Sequence, residues 1–546
     1  MRTQQPMKTL SMQLRGVYPN YRKAPLVRAL PRVNWSVVLT GIALFSLYVI
    51  LLATIQFATP NLVDNDGYYH IKLAQLMREE GVQPAFSWLP LTVLNPHDFV
   101  DHHFLYHVLL IPFTYGDLRE GAKWASVIFP ACTFLAGWLL LRGQGIPYAA
   151  LWSLGFLVIS EAFLYRMSMP RAQAVSLLVL LLALHVTLTR QYRWLLPVAF
   201  LYVWFYNAFP LILMLVGVYV AVRWLLERQL DLAPLGYTAL GLGLGLLINP
   251  YFPNNLIFIY HHLFPKLTDA TAISVGNEWY PYQTWTLVEN SGLALLAFVA
   301  GAFALGLRER RLDTRTATTF LLSVLFGVML FKSRRFVEYF PPFALIFAAM
   351  AWTPLIRGWL NGKAWQANLN LPLDQAIANL PLLAPGCLWR SRILAGVMAV
   401  ILLPAVWLNL QATQESMQSA KPYQRYAAAS AWLQTNTPAG SRIFQTDWDD
   451  FPRLFFYNTH NTYTVGLDPT YMQLYDADLY DLWVDITRGR VKAPAQTIVE
   501  TFGAHYIITD LDHKGFLRVA QNDPQLAEAY RDEYAVIFRV LEPTGK

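Results

Sequence analysis

Asp64 and Asp66 stand a few residues beyond a long apolar run, Trp35 to Thr59, and lead into Gly67-Tyr68-Tyr69-His70. Ionisable groups are expensive to keep near lipid, so acids at such a place mark a site more often than packing. Carboxylate oxygens there suit a hard divalent cation, Mg2+ or Mn2+. They equally suit general-base work on an incoming nucleophile. A solvated loop that caps the next helix accounts for two acids alone about as well. Arg334 and Arg335, with Lys332, form a cation cluster beside another apolar run. A guanidinium takes two phosphate oxygens at once, so the cluster fits a lipid phosphate or pyrophosphate. Contact with anionic headgroups, or an error in the span topology, is the rival that the phosphate reading outweighs, and Arg166 and Arg171 pose the same choice. Glu278, alone in a long loop, reads as an ordinary loop acid. His103 and His107 fall on one helical face, but no carboxylate is spaced to complete a metal set. With His102 they read as interfacial or substrate contacts. Asp447-Trp448-Asp449-Asp450-Phe451 follows a strand-like run and opens a helix. A Trp beside acids holds a polar ligand against its ring, although a helix N-cap over a buried Trp explains the motif more simply.

The elements that must position these residues are apolar spans. The chain has 546 residues, 55% hydrophobic and only 14% charged, against about 25% charged in soluble domains. That composition predicts a polytopic α-helical membrane protein. Its net charge of +7 sits largely at span ends, so it points to loop topology and not to nucleic acid. Spans are expected near 35–58, 122–141, 146–164, 171–189, 194–208, 209–226, 233–249, 290–307, 316–331, 337–353 and 393–410, about eleven in all. The segment 1–34 holds seven basic residues and no acid, which places it in the cytoplasm. The run after it is too long for a signal-peptide core, so it stays as a span. Arginine and lysine then collect in the predicted cytoplasmic loops (Arg142; Arg190 and Arg193; Arg223 and Arg228; Arg308, Arg310, Arg311 and Arg315; Arg357, Lys363, Arg390 and Arg392). An odd count puts the tail outside. Loops 59–121 and 250–289 also lie outside, and Phe104–Phe113 in the first is expected to lie along the interface. Residues 35–410 form the membrane domain, and 411–546 read as one α/β domain. Its strands are expected at Ser441–Gln445, Tyr463–Val465, His505–Thr509 and Ala535–Leu541, with helices at Pro422–Leu433 and Ala495–Thr501. Cys132, in a span, and Cys387, in a polar linker, make neither a disulfide framework nor a zinc site.

These motifs, in this order, resemble those of the GT-C superfamily of polyprenyl-dependent membrane glycosyltransferases, most of all the catalytic subunit of oligosaccharyltransferases. Asp64-Asn65-Asp66-Gly67-Tyr68 is similar to the family's first outer-loop acidic motif, whose Asp binds metal and acceptor. Ile273-Ser274-Val275-Gly276-Asn277-Glu278 is similar to the loop whose Glu binds near the acceptor. Asp447-Trp448-Asp449-Asp450-Phe451 resembles the Trp-Trp-Asp-Tyr-Gly motif, and Arg335-Phe336 the Arg-Phe pair that meets the donor phosphate. The chain departs from the family where a second acidic motif belongs. It reads Arg166-Met167-Ser168-Met169-Pro170-Arg171-Ala172-Gln173 there, without an acid. The tail motif has one Trp and no Tyr-Gly.

The resemblance implies a glycosyltransferase that moves a sugar or oligosaccharide from a polyprenyl-phosphate or -pyrophosphate donor to a protein, glycan or lipid acceptor on the outer face. Asp66, with Asp64 and Glu278, is expected to be catalytic. Arg335, with Arg334 and Arg171, would meet the donor phosphate, and Trp448, Asp449, Tyr68 and His70 the acceptor. Asp66 and Glu278 would hold Mg2+ or Mn2+, although one ligand is missing and arginine stands in its place. Membrane lipids are the other partners, and a bacterial inner membrane the expected location. Two rivals remain. A transporter or flippase of lipid-linked glycans needs midplane polar groups and paired broken helices, whereas the acids here gather at one surface. A non-catalytic envelope assembly protein would tolerate Asp66→Asn.

Overall fold

The computed structural model describes residues 34–268, 277–308, 312–361 and 385–541. The basic segment before Asn34, Ile273–Gly276 of the Glu278 motif, and Arg310, Arg311 and Lys363 lie outside the described residues. The chain forms two compact units, Met1–Ala43 and Leu44–Lys546. Of the first, the structure describes only the opening turns of helix α1.

In chain order the helices are α1 (Trp35–Gln56), α2 (Asp66–Glu80), α3 (Phe104–Leu110), α4 (Leu118–Gly143), α5 (Ala149–Leu154), α6 (Glu161–Met167), α7 (Gln173–Leu188), α8 (Leu195–Phe205), α9 (Pro210–Glu227), α10 (Ala233–Leu247), α11 (Asn254–Thr268), α12 (Thr284–Gly306), α13 (Thr314–Lys332), α14 (Phe340–Asn361) and α15 (Pro385–Gln418). Each of the eleven expected spans is helical, but fewer cross a membrane by length. Among the described residues seven helices are long and apolar enough, or eight if the bent pair α5–α6 counts as one. That pair turns by 85°, and Ser160 caps the second half by accepting from the Phe163 N–H. The 11-residue α8 is about 16 Å long at 1.5 Å per residue, half of a ~30 Å hydrocarbon core. Apolar runs alone cannot separate such half-length helices from true spans. Large apolar side chains stay exposed along α15, among them Ile393, Val400, Leu403 and Trp407, as expected of a helix surrounded by lipid. Cys387 falls at the start of α15 and not in a linker. The interfacial stretch becomes α3 and a 3-10 turn, Ile111–Thr114, with Phe104, Tyr106, His107 and Leu110 buried.

The tail folds as α16 (Ala427–Asn436), β1 (Arg442–Gln445), α17 (Phe451–Tyr457), β2 (Thr462–Tyr463), α18 (Thr470–Tyr475), α19 (Ala477–Thr487), α20 (Pro494–Thr497), β3 (Tyr506–Asp510), α21 (Lys514–Ala520), β4 (Leu526–Arg531) and β5 (Ala535–Val540). The sheet order is β2-β1-β3-β5-β4. The pairs β1–β2 and β1–β3 run parallel, and β3–β5 and β4–β5 antiparallel. Four strands fall where the alternation predicts. The fifth, β4, was not expected: Leu-Ala-Glu-Ala-Tyr-Arg is rich in helix formers and lies half-buried at the sheet edge.

Side-chain alternation divides the sheet between two cores. Phe444, Ile507, Val536 and Phe538 face α19 and α21 through Trp483, Ile486 and Phe516. Ile443, Tyr463, Ile508 and Ile537 join a core that also takes in Tyr69, Leu73 and Leu76 of α2 and Phe86, Trp88 and Leu94 of the first loop. The first loop and the tail therefore fold on one another. The Tyr463 N–H donates to the Trp88 carbonyl at 2.8 Å, and the Trp88 indole N–H to the Thr459 carbonyl at 2.9 Å.

Candidate active site

The motifs that lie far apart in sequence meet around one cavity of about 910 Å3. Asp64, Asp66 and His70 line it, with Arg171, Glu278, Arg335, Trp448 and Asp449. Asp64 stands two residues before α2, which Asp66 starts. The loop between α6 and α7 brings in Arg171. Gln56, at the end of α1, donates to the Ser168 carbonyl of that loop. Gly67 lets the loop approach closely, since a Cβ there would overlap the Pro170 ring. A turn after α13 carries Arg335. The Ser333 hydroxyl donates to the Glu278 carbonyl at 2.9 Å, and the Arg334 N–H to the Tyr280 carbonyl at 3.0 Å. Those bonds pin the 277–282 segment against the turn.

Charge pairs join these groups into one network. The Arg171 guanidinium donates to both oxygens of Asp64. It also lies 3.0 Å from Asp66 and 3.5 Å from Glu278. Glu278 then divides its two oxygens. Oε1 takes Arg335 at 2.6 Å, and Oε2 takes Arg166 at 2.9 Å. Arg166 is held from behind by Glu338, which is fully buried. Arg335 also donates to the Tyr206 hydroxyl and lies 5.0 Å from the Trp279 ring centroid. Burial pushes the Glu278 carboxyl up, but Arg335, Arg166 and Arg171 outweigh it and hold the group well below the usual carboxylate range. Burial raises Asp66 to about 7 even against Arg171, with Asp64 and Asp449 adding like charge. Glu278 is thus a fixed anion that orders three arginines, whereas Asp66 exchanges its proton near neutrality.

The acids expected to hold Mg2+ or Mn2+ are therefore already paired with a fixed cation. Among the described residues, Asp447, Asp510 and His513 are the one trio whose ligand atoms lie within 4.8 Å of one another. Within it His513 contacts Asp510 at 2.6 Å, and Arg425 reaches Asp510 from outside the trio at 3.0 Å.

Tyr68 and Arg334 do not reach the cavity. Tyr68 is fully buried, edge-on to Phe456, with the Arg453 guanidinium 4.5 Å from its ring centroid. Arg334 turns to the Pro281 carbonyl and the Tyr282 ring. Several site groups are not singled out by the sequence reading. Asn65, between the two acids, donates to Asp449 Oδ2 at 2.6 Å and accepts from Arg453 Nε at 2.8 Å. Arg453 is only 2% exposed. Asn207 lines the cavity with its buried side-chain N–H groups unpaired among the described residues, as does Gln173 with its carbonyl oxygen. An Asn between two apolar helices was a usable clue for Asn207. No spacing rule pointed to Glu338 or Arg453.

The tail turn that carries Trp448 also holds groups displaced from their ordinary pKa values. Burial, then Asp447, pushes Asp450 up to about 7 from an ordinary 3.8. Burial lowers His513, but its bond to Asp510 outweighs this and raises it above 6.5. Asp510 is itself held down at about 2, its burial outweighed by His513 and Arg425. A raised folded pKa means the folded chain binds more protons than the unfolded one, so stability falls as pH rises through that window. Asp450 acts between about 4 and 7, and His513 from about 6.5 upward. Asp510 contributes above 3.8 and weakens only toward pH 2. The melting temperature of the purified chain is expected to fall from pH 5 to pH 8, and Asp450→Asn to flatten that slope. An unchanged slope in the variant would contradict this assignment.

No protein-family model matches the sequence, and no curated protein matches it. Solved structures do match. The oligosaccharyltransferase AglB from Archaeoglobus fulgidus, in complex with an inhibitory peptide and a dolichol-phosphate, superposes with a TM-score of 0.60 at 13% identity, over 89% of this chain and 71% of that one. ArnT from Cupriavidus metallidurans, bound to undecaprenyl phosphate, gives 0.54 at 17% identity over 93% and 98%. The arabinofuranosyltransferase AftD from Mycobacteria gives 0.53 at 13% identity over 92% and 40%. The chain therefore shares the fold of all three over most of its length.

Proposed function

We propose that the chain is a membrane glycosyltransferase that transfers a sugar from a polyprenyl-phosphate or -pyrophosphate donor to an acceptor in the cavity beneath the tail. The observation that carries this reading is the ion-pair network that places Asp66, Arg171, Glu278 and Arg335 on one cavity wall. Transfer builds negative charge on the leaving phosphate, and fixed cations aimed at that charge lower the barrier. Arg335 and Asn207 both line the cavity, as does Pro210 at the start of α9. A guanidinium, unpaired amide N–H groups and a helix N-terminus are each suited to a phosphate entering this cavity. Leu211, Met329 and Phe336 supply apolar lining to the same cavity, suited to the first isoprene units. Asp66 orients the acceptor, and Trp448 and Asp449 border its path. Glu278 holds the arginines and moves no proton. Arg171 supplies the positive charge that a divalent ion would otherwise bring to Asp64, Asp66 and Glu278. The acceptor side is outside the cell membrane, with the basic N-terminal segment inside, by the charge rule.

Binding of undecaprenyl phosphate to the purified full chain tests the donor half. The lipid is expected to raise the melting temperature of wild type, and Arg335→Ala to weaken binding at least about tenfold, the loss of one charge-assisted phosphate contact. Equal binding by both proteins would remove Arg335 from the phosphate site.

A further inference from the structure

Asp101, His107 and His70 form a hydrogen-bonded chain that ends in the cavity. Asp101 Oδ2 lies 2.7 Å from His107 Nδ1, and His107 Nε2 lies 2.7 Å from His70 Nδ1. The three residues are 4%, 0% and 4% exposed. His70 lines the cavity and follows Asp66 by one turn on the same face of α2.

With both imidazoles neutral and Asp101 ionised, the chain admits one proton arrangement. A carboxylate only accepts, so His107 Nδ1 carries a proton and donates it. Neutral His107 then has its lone pair on Nε2, and His70 Nδ1 must be the donor to it. His70 Nε2 is left with the lone pair of a base. We infer that His70 is the general base that removes the proton from an acceptor hydroxyl, with His107 and Asp101 as the positioning residues that fix its tautomer and absorb the charge. This inference rests on the glycosyl-transfer reading above and deepens it by naming the acceptor group, an alcohol and not an amide.

The step balances. The acceptor oxygen bonds to the anomeric carbon as the bond from that carbon to the donor phosphate oxygen breaks. The phosphate leaves with the electron pair. The hydroxyl proton goes to His70 Nε2, the His70 Nδ1 proton passes to His107 Nε2, and the resulting imidazolium rests against Asp101. Burial first, then His107, Arg171 and His102, hold His70 well below 6.5, so it waits in the neutral form that a base requires. His103, Tyr106 and Tyr69 complete its surroundings, their ring centroids 5.0, 5.3 and 5.4 Å away. An imidazole oriented by a carboxylate is a proven activator of hydroxyl nucleophiles. A hydroxyl oxygen keeps a localised lone pair to attack with while its proton leaves, whereas the lone pair of an amide nitrogen is delocalised into its carbonyl.

The test uses membrane vesicles that carry the full chain with the cell's own donor and acceptors. It follows the glycan that deletion of the gene removes. His70→Ala is expected to slow its formation about 100-fold or more, the usual scale of a general base. Added imidazole should restore at least about tenfold of that loss, and more basic azoles should restore more, as Brønsted behaviour requires. Asp101→Asn should slow the reaction about tenfold or more at unchanged melting temperature, while Asp101→Glu, which keeps the charge, recovers part of the rate. Linkage analysis should find an O-glycoside. The inference is overturned if His70→Ala and Asp101→Asn run at the wild-type rate, if imidazole relieves no part of the His70→Ala loss, or if the product is N-linked. Should His70→Ala not fold, His70→Gln and Asp101→Asn decide by the same rates. Arg335→Ala separates the two levels. If it stops transfer while the His70 variants do not, the relay fails and the glycosyltransferase stands. If deletion of the gene alters no glycan, the underlying reading fails.

Discussion

Arg171→Ala is expected to stop transfer. The side chain binds Asp64 through two nitrogens and reaches Asp66 and Glu278 within 3.5 Å. Its loss would leave three carboxylates facing one another around a cavity, with Asp64 only 8% exposed. Removing one member of a buried ion pair costs about 3–5 kcal/mol of stability, and losing a preorganised charge at the reacting centre slows the chemical step by about 100-fold or more. The same substitution tests the role of metal. Wild type is expected to keep its rate after chelation of divalent ions, because Arg171 already neutralises the acids. In Arg171→Ala the orphaned carboxylates have the donor set that Mg2+ or Mn2+ prefers, so either ion at millimolar concentration should restore part of the rate. Loss of wild-type activity on chelation, recovered by Mg2+ or Mn2+, would show that Arg171 does not replace the ion.

Arg453→Met should have the largest effect on stability. Arg453 is 2% exposed and holds three segments together. It donates to the Asn65 side-chain oxygen at 2.8 Å and to the Pro422 carbonyl at 2.7 Å, and it lies over the Tyr68 ring. Methionine keeps much of the volume but satisfies none of the acceptors. Each orphaned acceptor costs about 1–3 kcal/mol, so a destabilisation of about 3–5 kcal/mol is expected, in the range found for broken buried charge networks. Asn65→Ala should show a smaller loss in the same thermal-melting experiment, since it leaves the Arg453–Pro422 bond intact. A melting temperature for Arg453→Met equal to that of wild type would mean that the loop and tail do not depend on this contact.

The membrane class and the tail sheet were legible because each rests on a repeated pattern. Long apolar runs gave every span position, and strand alternation gave β1, β2, β3 and β5 to within two residues at either end. Span number was not legible, since α8 and α10 are as apolar as true spans but only 11 and 15 residues long. The cavity's main charges were legible too. Asp64, Asp66, Arg171 and Arg335 each sit where an ionisable group is costly, and that cost is visible in one dimension. Their partners were not. Arg453, Glu338 and Asp101 are charged residues in or beside apolar stretches whose meaning depends on which distant segment folds against them. The packing of the first loop on the tail, through Trp88 and Tyr463, is a tertiary choice that no local period encodes.

The central claim is that this cavity transfers a sugar. Comparative glycan mass spectrometry tests it most directly. Envelope lipids, polysaccharides and proteins would be compared between cells that lack the gene and cells rescued with wild type, Asp66→Asn or Arg335→Ala, each at matched protein level. The expected result is one glycan that disappears on deletion, returns with wild type and returns with neither variant. Return of that glycan with both variants, or no change in any glycan on deletion, would contradict the claim.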